Sequence, residues 1–461
     1  MISFIFLLTP YIWSGPINIS ESDDIQSKWP DIVIDRNDKI WIVWSEDYDS
    51  NPTKMTYRYY EKENGWSDTT VLIIQGGACC NSELSIDSVG KIHWVWSCLG
   101  EGKLYWSFYE KDKWSSPIKI GNDFGSNERQ SITSSPDGKT HLAWSVYGDE
   151  DPYYSFFDGD SWSTPVIMWD NIKARPHAIT SDKHNRIHVL WRNLENRQLE
   201  YTIYDGERWS EPEILTDVET YVKESKIVVD KDDNIYIVYE SAYSSEVRSH
   251  LYFIENKGDG WSQPYKIDLW EGNDGGGYFP DMRIDSKGIL HIIWSGGPAG
   301  IQWHLYHTMY DGKEWLTYQI TSVEDYPSHS RGEGDTQLFI DKDDNLYVTS
   351  VVNIGPAHNV VVAFEVYLNT TNLKLGVKEK KIKNKTEINI INKNITILLK
   401  ESSYVKLRVY DTTGREIYKK DLGNLNKGKH NINIKKDLSD GVYFVKFDFD
   451  NFSISKKLLI K

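Results

Sequence analysis

Cysteine is scarce in this sequence: 461 residues hold three, Cys79, Cys80 and Cys98. That is too few for a disulfide-built scaffold or a zinc ribbon. No apolar run is long enough to span a bilayer, so no transmembrane segment is expected. No sustained heptad pattern occurs, which excludes a long coiled coil. Basic residues are also sparse over most of the chain. Up to residue 369 there are 31 Lys and Arg against 58 Asp and Glu, a net charge of −27, whereas from residue 370 there are 21 against 10, a net charge of +11. A broad acidic field disfavours polyanions, so no nucleic-acid partner is expected. The apolar start, MISFIFLLTP, has the character of a signal-peptide core, and residues 1–12 read as the remnant of such a segment; a buried N-terminal strand is the alternative.

What is abundant is aromatic: 19 Trp and 29 Tyr. They fall in a repeat. The phrase WSGPINI (13–19) returns as WSSPIKI (114–120), WSTPVIM (162–168), WSEPEIL (209–215) and WSQPYKI (261–267), with looser copies from Trp66 and Trp315. A second phrase, exemplified by NSELSIDSVGKIHWVWS, places anchors at Trp44, Trp96, Trp144, Trp191, Tyr239, Trp294 and Ser350. Their spacing of 47 to 56 residues is a propeller-blade period. Each unit reads as four strands, A to D, with period-two alternation bounded by Asp, Gly and Asn. The proline of Trp-Ser-x-Pro suits an outer edge strand, where a missing N–H does little harm.

The seventh unit has strands A and B (336–350) and a plausible C (358–368), but no Trp-Ser-x-Pro phrase. The missing strand is expected at the other end of the chain, at 13–19. The fold class is therefore all-β: a seven-bladed β-propeller closed by the N-terminal strand, over 13–368. Residues 369–385 read as a solvated linker. Residues 386–461, with alternating runs and turns near Gly414 and Gly441, read as a small Ig-like β-sandwich.

Two resemblances add to this. SFFDGDSWSTP (155–165), IYDGERWSEP (203–212) and MYDGKEWL (309–316) resemble degenerate Asp-box turns of the sialidase-like propellers. That resemblance implies a class containing glycosidases, polysaccharide lyases and lectins. The tail motifs VYD (409–411), GRE (414–416), GKH (428–430), GVYF (441–444) and KKLLIK (456–461) resemble the C-terminal sorting domain of type IX secretion substrates. This second resemblance implies handling by the type IX machinery and export across the outer membrane, to the cell surface or the medium.

Function is expected on the face carrying the longer D–A and B–C loops, around the channel mouth. His93, His141, His188 and His291 recur three residues before the anchors and are expected to pack blades. The residues that break the symmetry are the candidates. Trp29 and Tyr278 suit stacking on a sugar, and Arg129, Arg175, Arg192 and Arg331 suit holding a carboxylate. Asp31, Glu83 and Asp281 could serve as acid and base in glycoside cleavage, and His177 as the base of a lyase. Asn81, Glu333, Asp335, Glu46 and Trp303 lie in the same loops. The expected partner is a glycan or polysaccharide; a hydrolase, a lyase, a non-catalytic lectin and a protein-binding scaffold all remain open. The runs from Asp230 to Asn234 and from Asp341 to Asn345 match half of a calcium loop, yet they fill A–B turns where Asp and Asn are favoured anyway. No metal site is assigned, with Ca2+ as the alternative. Pairing Ile86 with Ile92 sets Cys80 opposite Cys98, so a disulfide there is geometrically possible.

Overall fold

The structure is a computed structural model. It describes residues 11–371 and 387–460, except 12, 22–25, 47–52, 76–78, 99–102, 121–126, 147, 149, 218–219, 244–247, 271, 300–302, 322–332, 354–363, 392–393, 400–401, 411–415, 435, 437, 440 and 450–451. Two compact units are present, one spanning Trp13–Leu375 and the other holding Gly376–Lys461.

The larger unit is a seven-bladed β-propeller. Its innermost strands are Ser27–Ile34, Cys79–Ile86, Asn127–Ser134, Ala174–Ser181, Thr220–Val229, Gly275–Ile284 and Glu333–Ile340, and each opens an antiparallel sheet of at least four strands. The anchors lie in the second strand of each blade, and all are buried. The serine of each Trp-Ser phrase shows why the phrase recurs. Ser67, Ser115, Ser163, Ser210 and Ser262 accept the amides of Tyr59, Phe108, Phe156, Ile203 and Glu255 on the third strand, at 3.0 to 3.2 Å. Their own amides donate to the carbonyls of the same residues. In five blades the tryptophan that opens the outer strand packs on a third-strand ring of the preceding blade: Trp114 on Tyr57, Trp162 on Trp106, Trp209 on Tyr154, Trp261 on Tyr201 and Trp315 on Phe253.

The N-terminus completes the ring. Ile17 and Asn18 pair with Leu368 and Tyr367. Ser14 repeats the serine contact, donating its amide to Thr370 O at 2.7 Å and accepting the Thr370 amide at 3.1 Å. Trp13 packs edge-on against His307 of blade six, 5.6 Å between centroids, and donates to the Tyr318 hydroxyl at 3.2 Å. Ile19 is fully buried behind it. The third strand of blade seven runs Phe364–Thr370, so Asn369 and Thr370 belong to the blade and not to a linker. Residues 358–363 and 372–385 lie outside the described residues.

The recurring histidines are blade struts, as expected. His93, His141 and His188 bond through Nε2 to Asp87, Ser135 and Asp182 of the A–B turn, and through Nδ1 to Trp106, Tyr154 and Tyr201. These are three of the rings on which the next tryptophan rests. Burial pulls His141 down to about 4, leaving it neutral. In the turns, Asp35, Asp87, Asp182, Asp230, Asp285 and Asp341 each accept two backbone amides through Oδ1. Asp230 and Asp341 thus do what the other four do, and among the described residues no three His, Cys, Asp or Glu gather as metal ligands. In the Asp-box-like turns, Asp158 and Asp205 cap two amides each, and Gly159 and Gly206 supply φ of 105° and 104°.

The disulfide joins Cys79, not Cys80, to Cys98. A bulge between Cys80 and Glu83 shifts the register by one residue, so Cys79 faces Cys98 and Cys80 faces Ser97. Cys80 remains a buried thiol, which burial pushes up to about 11.

The smaller unit is a two-sheet sandwich. Glu387–Ile391, Asn394–Leu399 and Gly428–Asn433 form one sheet; Glu416–Leu425, Ser403–Tyr410, Gly441–Phe449 and Phe452–Ile460 form the other. One core, including Ile395, Ile397, Leu407, Val409, Val445 and Phe447, is shared between them.

Two predictions follow from the closure. Ile19→Ala removes a fully buried side chain at the seam and is expected to cost about 2–5 kcal/mol; an unchanged denaturation midpoint would refute the seam's role. A chain ending at Leu375 should melt as the intact propeller does. One ending at Leu368 loses the partner of Ser14 and should melt lower; equal melting temperatures would overturn this.

Candidate functional site

The innermost strand of every blade carries a register shift near its start. In four blades a non-glycine residue of that bulge takes a left-handed backbone: Trp29 (φ 50°), Asn81 (53°), Phe279 (51°) and Asp335 (45°). A bulky side chain in this region is strained, and such strain persists only where the surroundings enforce it. All four line one cavity of 310 Å³ at the loop-face end of the channel, together with Glu83, Gln130, His177, Glu224, Lys226 and Gln337. The bulges turn these side chains inward, as bulges beside functional sites do.

Below the bulge, each strand contributes one residue to an equivalent ring position, opposite the residue that precedes the anchor. The seven are Asp31, Glu83, Ser131, Ala178, Lys226, Asp281 and Gln337. Three of the acids staple neighbouring blades. Asp31 accepts the amides of Ile32 (2.7 Å) and Leu84 of blade two (2.6 Å). Asp281 accepts those of Met282 (2.9 Å) and Leu338 of blade seven (2.7 Å), and Glu83 accepts that of Ile132 of blade three (3.0 Å). Asp31 and Asp281 are buried behind the wall, so they hold the ring; Glu83 also faces the cavity.

Burial pushes the Asp31 carboxyl up to about 6, against the pull of its two amides. It pushes Glu83 up to about 7, against the pull of Lys226. Burial pulls the Lys226 ammonium down, but Asp281, Glu83 and Asp31 together outweigh it and hold it above its ordinary value. Glu240, raised to about 7 by burial and by Glu224, accepts the Phe279 amide at 3.1 Å and so supports that bulge from behind. His177 is buried in the wall, its Nδ1 3.3 Å from Ser225 Oγ.

The other candidates lie elsewhere. Arg175 stands two residues from His177 but does not join it: with Arg192 it lines a separate 460 Å³ cleft to which blades three, four and five contribute. Arg192 is buried, donates to Val222 O at 3.0 Å and lies over the Tyr221 ring. Tyr278 is buried and stacks on Trp303 at 4.2 Å, outside the cavity wall. Arg129 is in the innermost strand of blade three opposite Ser145, with its side chain outside the described residues. Arg331 lies outside them altogether. Sequence reading missed Gln130, Glu224, Lys226, Phe279 and Gln337. A signal existed for Lys226: counting back thirteen residues from every anchor gives the seven ring residues without exception.

A seven-bladed propeller with a mixed aromatic and carboxylate cavity at one channel mouth, followed by a two-sheet tail, is the class these features define. Residues 389–461 match the secretion system C-terminal sorting domain. The protein is therefore exported by type IX secretion, to the cell surface or beyond. Solved structures show the same fold. A polysaccharide lyase, Uly1, is similar at 12% identity with a TM-score of 0.50, covering 74% of this chain and 88% of its own. A fungal alcohol oxidase of the AA5 family, solved with copper, is similar at 13% identity with a TM-score of 0.51, covering 98% and 99%. No curated protein matches the chain in sequence.

The raised carboxyls carry a pH signature. Asp31 and Glu83 bind protons more tightly folded than unfolded, so their contribution to stability is complete below about pH 4 and is lost as pH rises through about 6 and about 7. Glu83→Gln should flatten the fall in melting temperature between about pH 5 and 8. Parallel curves for the two proteins would rule out a raised Glu83.

Proposed function

We propose that this exported propeller binds a polysaccharide in the channel cavity and that Glu83 is its proton donor for glycoside cleavage. The observation that carries this reading is the set of four left-handed bulge residues, two of them aromatic, held in the wall of one cavity. The Trp29 and Phe279 rings offer faces for a sugar's apolar side. Asn81, Gln130, Gln337 and Lys226 offer hydrogen bonds to its hydroxyls. A carboxyl raised to about 7 is still protonated on a good part of the molecules at neutral pH, which is what a general acid needs. Glu224 and Asp335 share the wall and supply the second carboxylate that glycoside hydrolysis uses. The ring carries six different residue types over seven blades, only Asp occurring twice, which favours one asymmetric site over the repeated pockets of a lectin.

A panel of polysaccharides, scored for binding and for released products, tests this. Trp29→Ala should weaken binding about tenfold or more. Glu83→Gln should keep binding and lower product release by about a hundredfold or more. Binding without product in the wild type would make the protein a lectin. Neither binding nor product would end the reading.

A further inference from the structure

The third-strand ring that receives the tryptophan of the next blade changes character once. It is Tyr57, Trp106, Tyr154, Tyr201 and Phe253 in blades one to five, and His307 in blade six. The tryptophan that His307 meets is Trp13, on the outer strand that the N-terminus supplies. Other outer strands are kept in place by the short connection to their own blade. This one is held by non-covalent contacts alone, and its fastening ring is the one that titrates near neutral pH.

His307 belongs to a relay. Trp13 Nε1 donates to the Tyr318 hydroxyl, which lies 2.6 Å from His307 Nδ1. His307 Nε2 lies 2.9 Å from His291 Nδ1, and His291 Nε2 stands 3.4 Å from Asp285 Oδ2 in the A–B turn. Against its burial, His291 and the amides of Ile289 and Lys287 hold the Asp285 carboxyl below its ordinary value, so it is ionised. An indole only donates and a carboxylate only accepts, and these two ends set the directions between them. Tyr318 donates to His307 Nδ1, His307 donates from Nε2 to His291, and His291 Nε2 points its hydrogen at Asp285. Each imidazole accepts one hydrogen and donates one, which only its neutral form does.

Both imidazoles are fully buried. Burial, with His291 alongside, holds His307 well below its ordinary value. Of the charged groups packed nearby, Asp285 faces His291; Arg283, across from His291 in the register, turns to Asp281 at 2.9 Å, and Lys287 of the turn is engaged by Asp344 at 2.9 Å. A further proton on His307 makes Nδ1 a donor and reverses the Tyr318 hydroxyl. On His291 it sets two N–H groups face to face until His307 moves its own hydrogen to Nδ1, with the same result. Either way the disruption reaches the hydroxyl on which Trp13 rests. We propose that this relay is an acid-sensitive latch: it keeps the ring closed at neutral pH, and protonation of the His291–His307 pair releases Trp13 and the N-terminal outer strand. A histidine held low in the closed form contributes stability that is complete above its ordinary value of about 6.5 and is lost as pH falls below it.

Amide deuterium exchange of the full chain tests this. For residues 13–20, exchange corrected for the intrinsic pH dependence of free amides should rise about thirtyfold from about pH 7.5 to about pH 5. The outer strand Ile118–Ile120 of blade two, whose tryptophan rests on Tyr57, should stay flat. His307→Tyr copies blades three and four, where a tyrosine hydroxyl meets the histidine Nδ1 at 2.7 and 2.8 Å. It keeps a ring for Trp13, removes the titrating group and should hold the 13–20 rate flat. Parallel curves for the two proteins would overturn the latch. So would a wild-type seam that exchanges no faster in acid, or an equal rise at Ile118–Ile120, the mark of general loosening. If His307→Tyr does not fold, His307→Phe, the ring of blade five, replaces it with the same outcomes.

Discussion

The tryptophan that opens each outer strand is the contact on which the ring depends. In blades two, three, four and six it meets a ring of its own blade and a ring of the blade before, and so fastens the two together. The partner ring is in turn oriented by a buried histidine in three blades, and that histidine by the A–B turn. Turn, strut, ring and tryptophan form one chain of contacts running outward through a blade and across to the next. The most repetitive feature of the sequence is therefore the one that sets blade-to-blade spacing, and chemistry is left to positions the chain of contacts does not use.

Those positions are the bulges and the ring below them. The same ring site is Asp, Glu, Ser, Ala, Lys, Asp or Gln according to the blade. Where it is a carboxylate, one oxygen reaches the backbone of the following blade, so charge at the channel is also mortar. This dual use explains why Asp31 and Asp281, attractive as catalytic acids on paper, are committed to structure, whereas Glu83 keeps a face on the cavity.

The architecture was legible because its signals are periodic. The anchors, the displaced outer strand at Trp13 and the structural histidines follow from spacing alone. What spacing cannot reveal is a one-residue bulge. A bulge moved the disulfide from Cys80 to Cys79, turned Phe279 into the cavity in place of Tyr278, and sent Arg175 and His177 to different clefts although they are two residues apart. Lys226 was overlooked for a different reason: it sits in an unremarkable strand, and only its alignment with the acids of other blades makes it distinctive.

The N-terminal outer strand has a further consequence for how the ring is assembled. Its hydrogen bonds join residues 346 and 356 positions apart in the sequence, so they form only after nearly the whole propeller has been laid down. The entropy of closing so long a loop grows only slowly with length, yet contacts of this separation come late in folding. Until then blade seven presents an unpaired edge and blade six an uncovered aromatic surface. The last step of folding thus converts an open, adhesive arc into a closed ring.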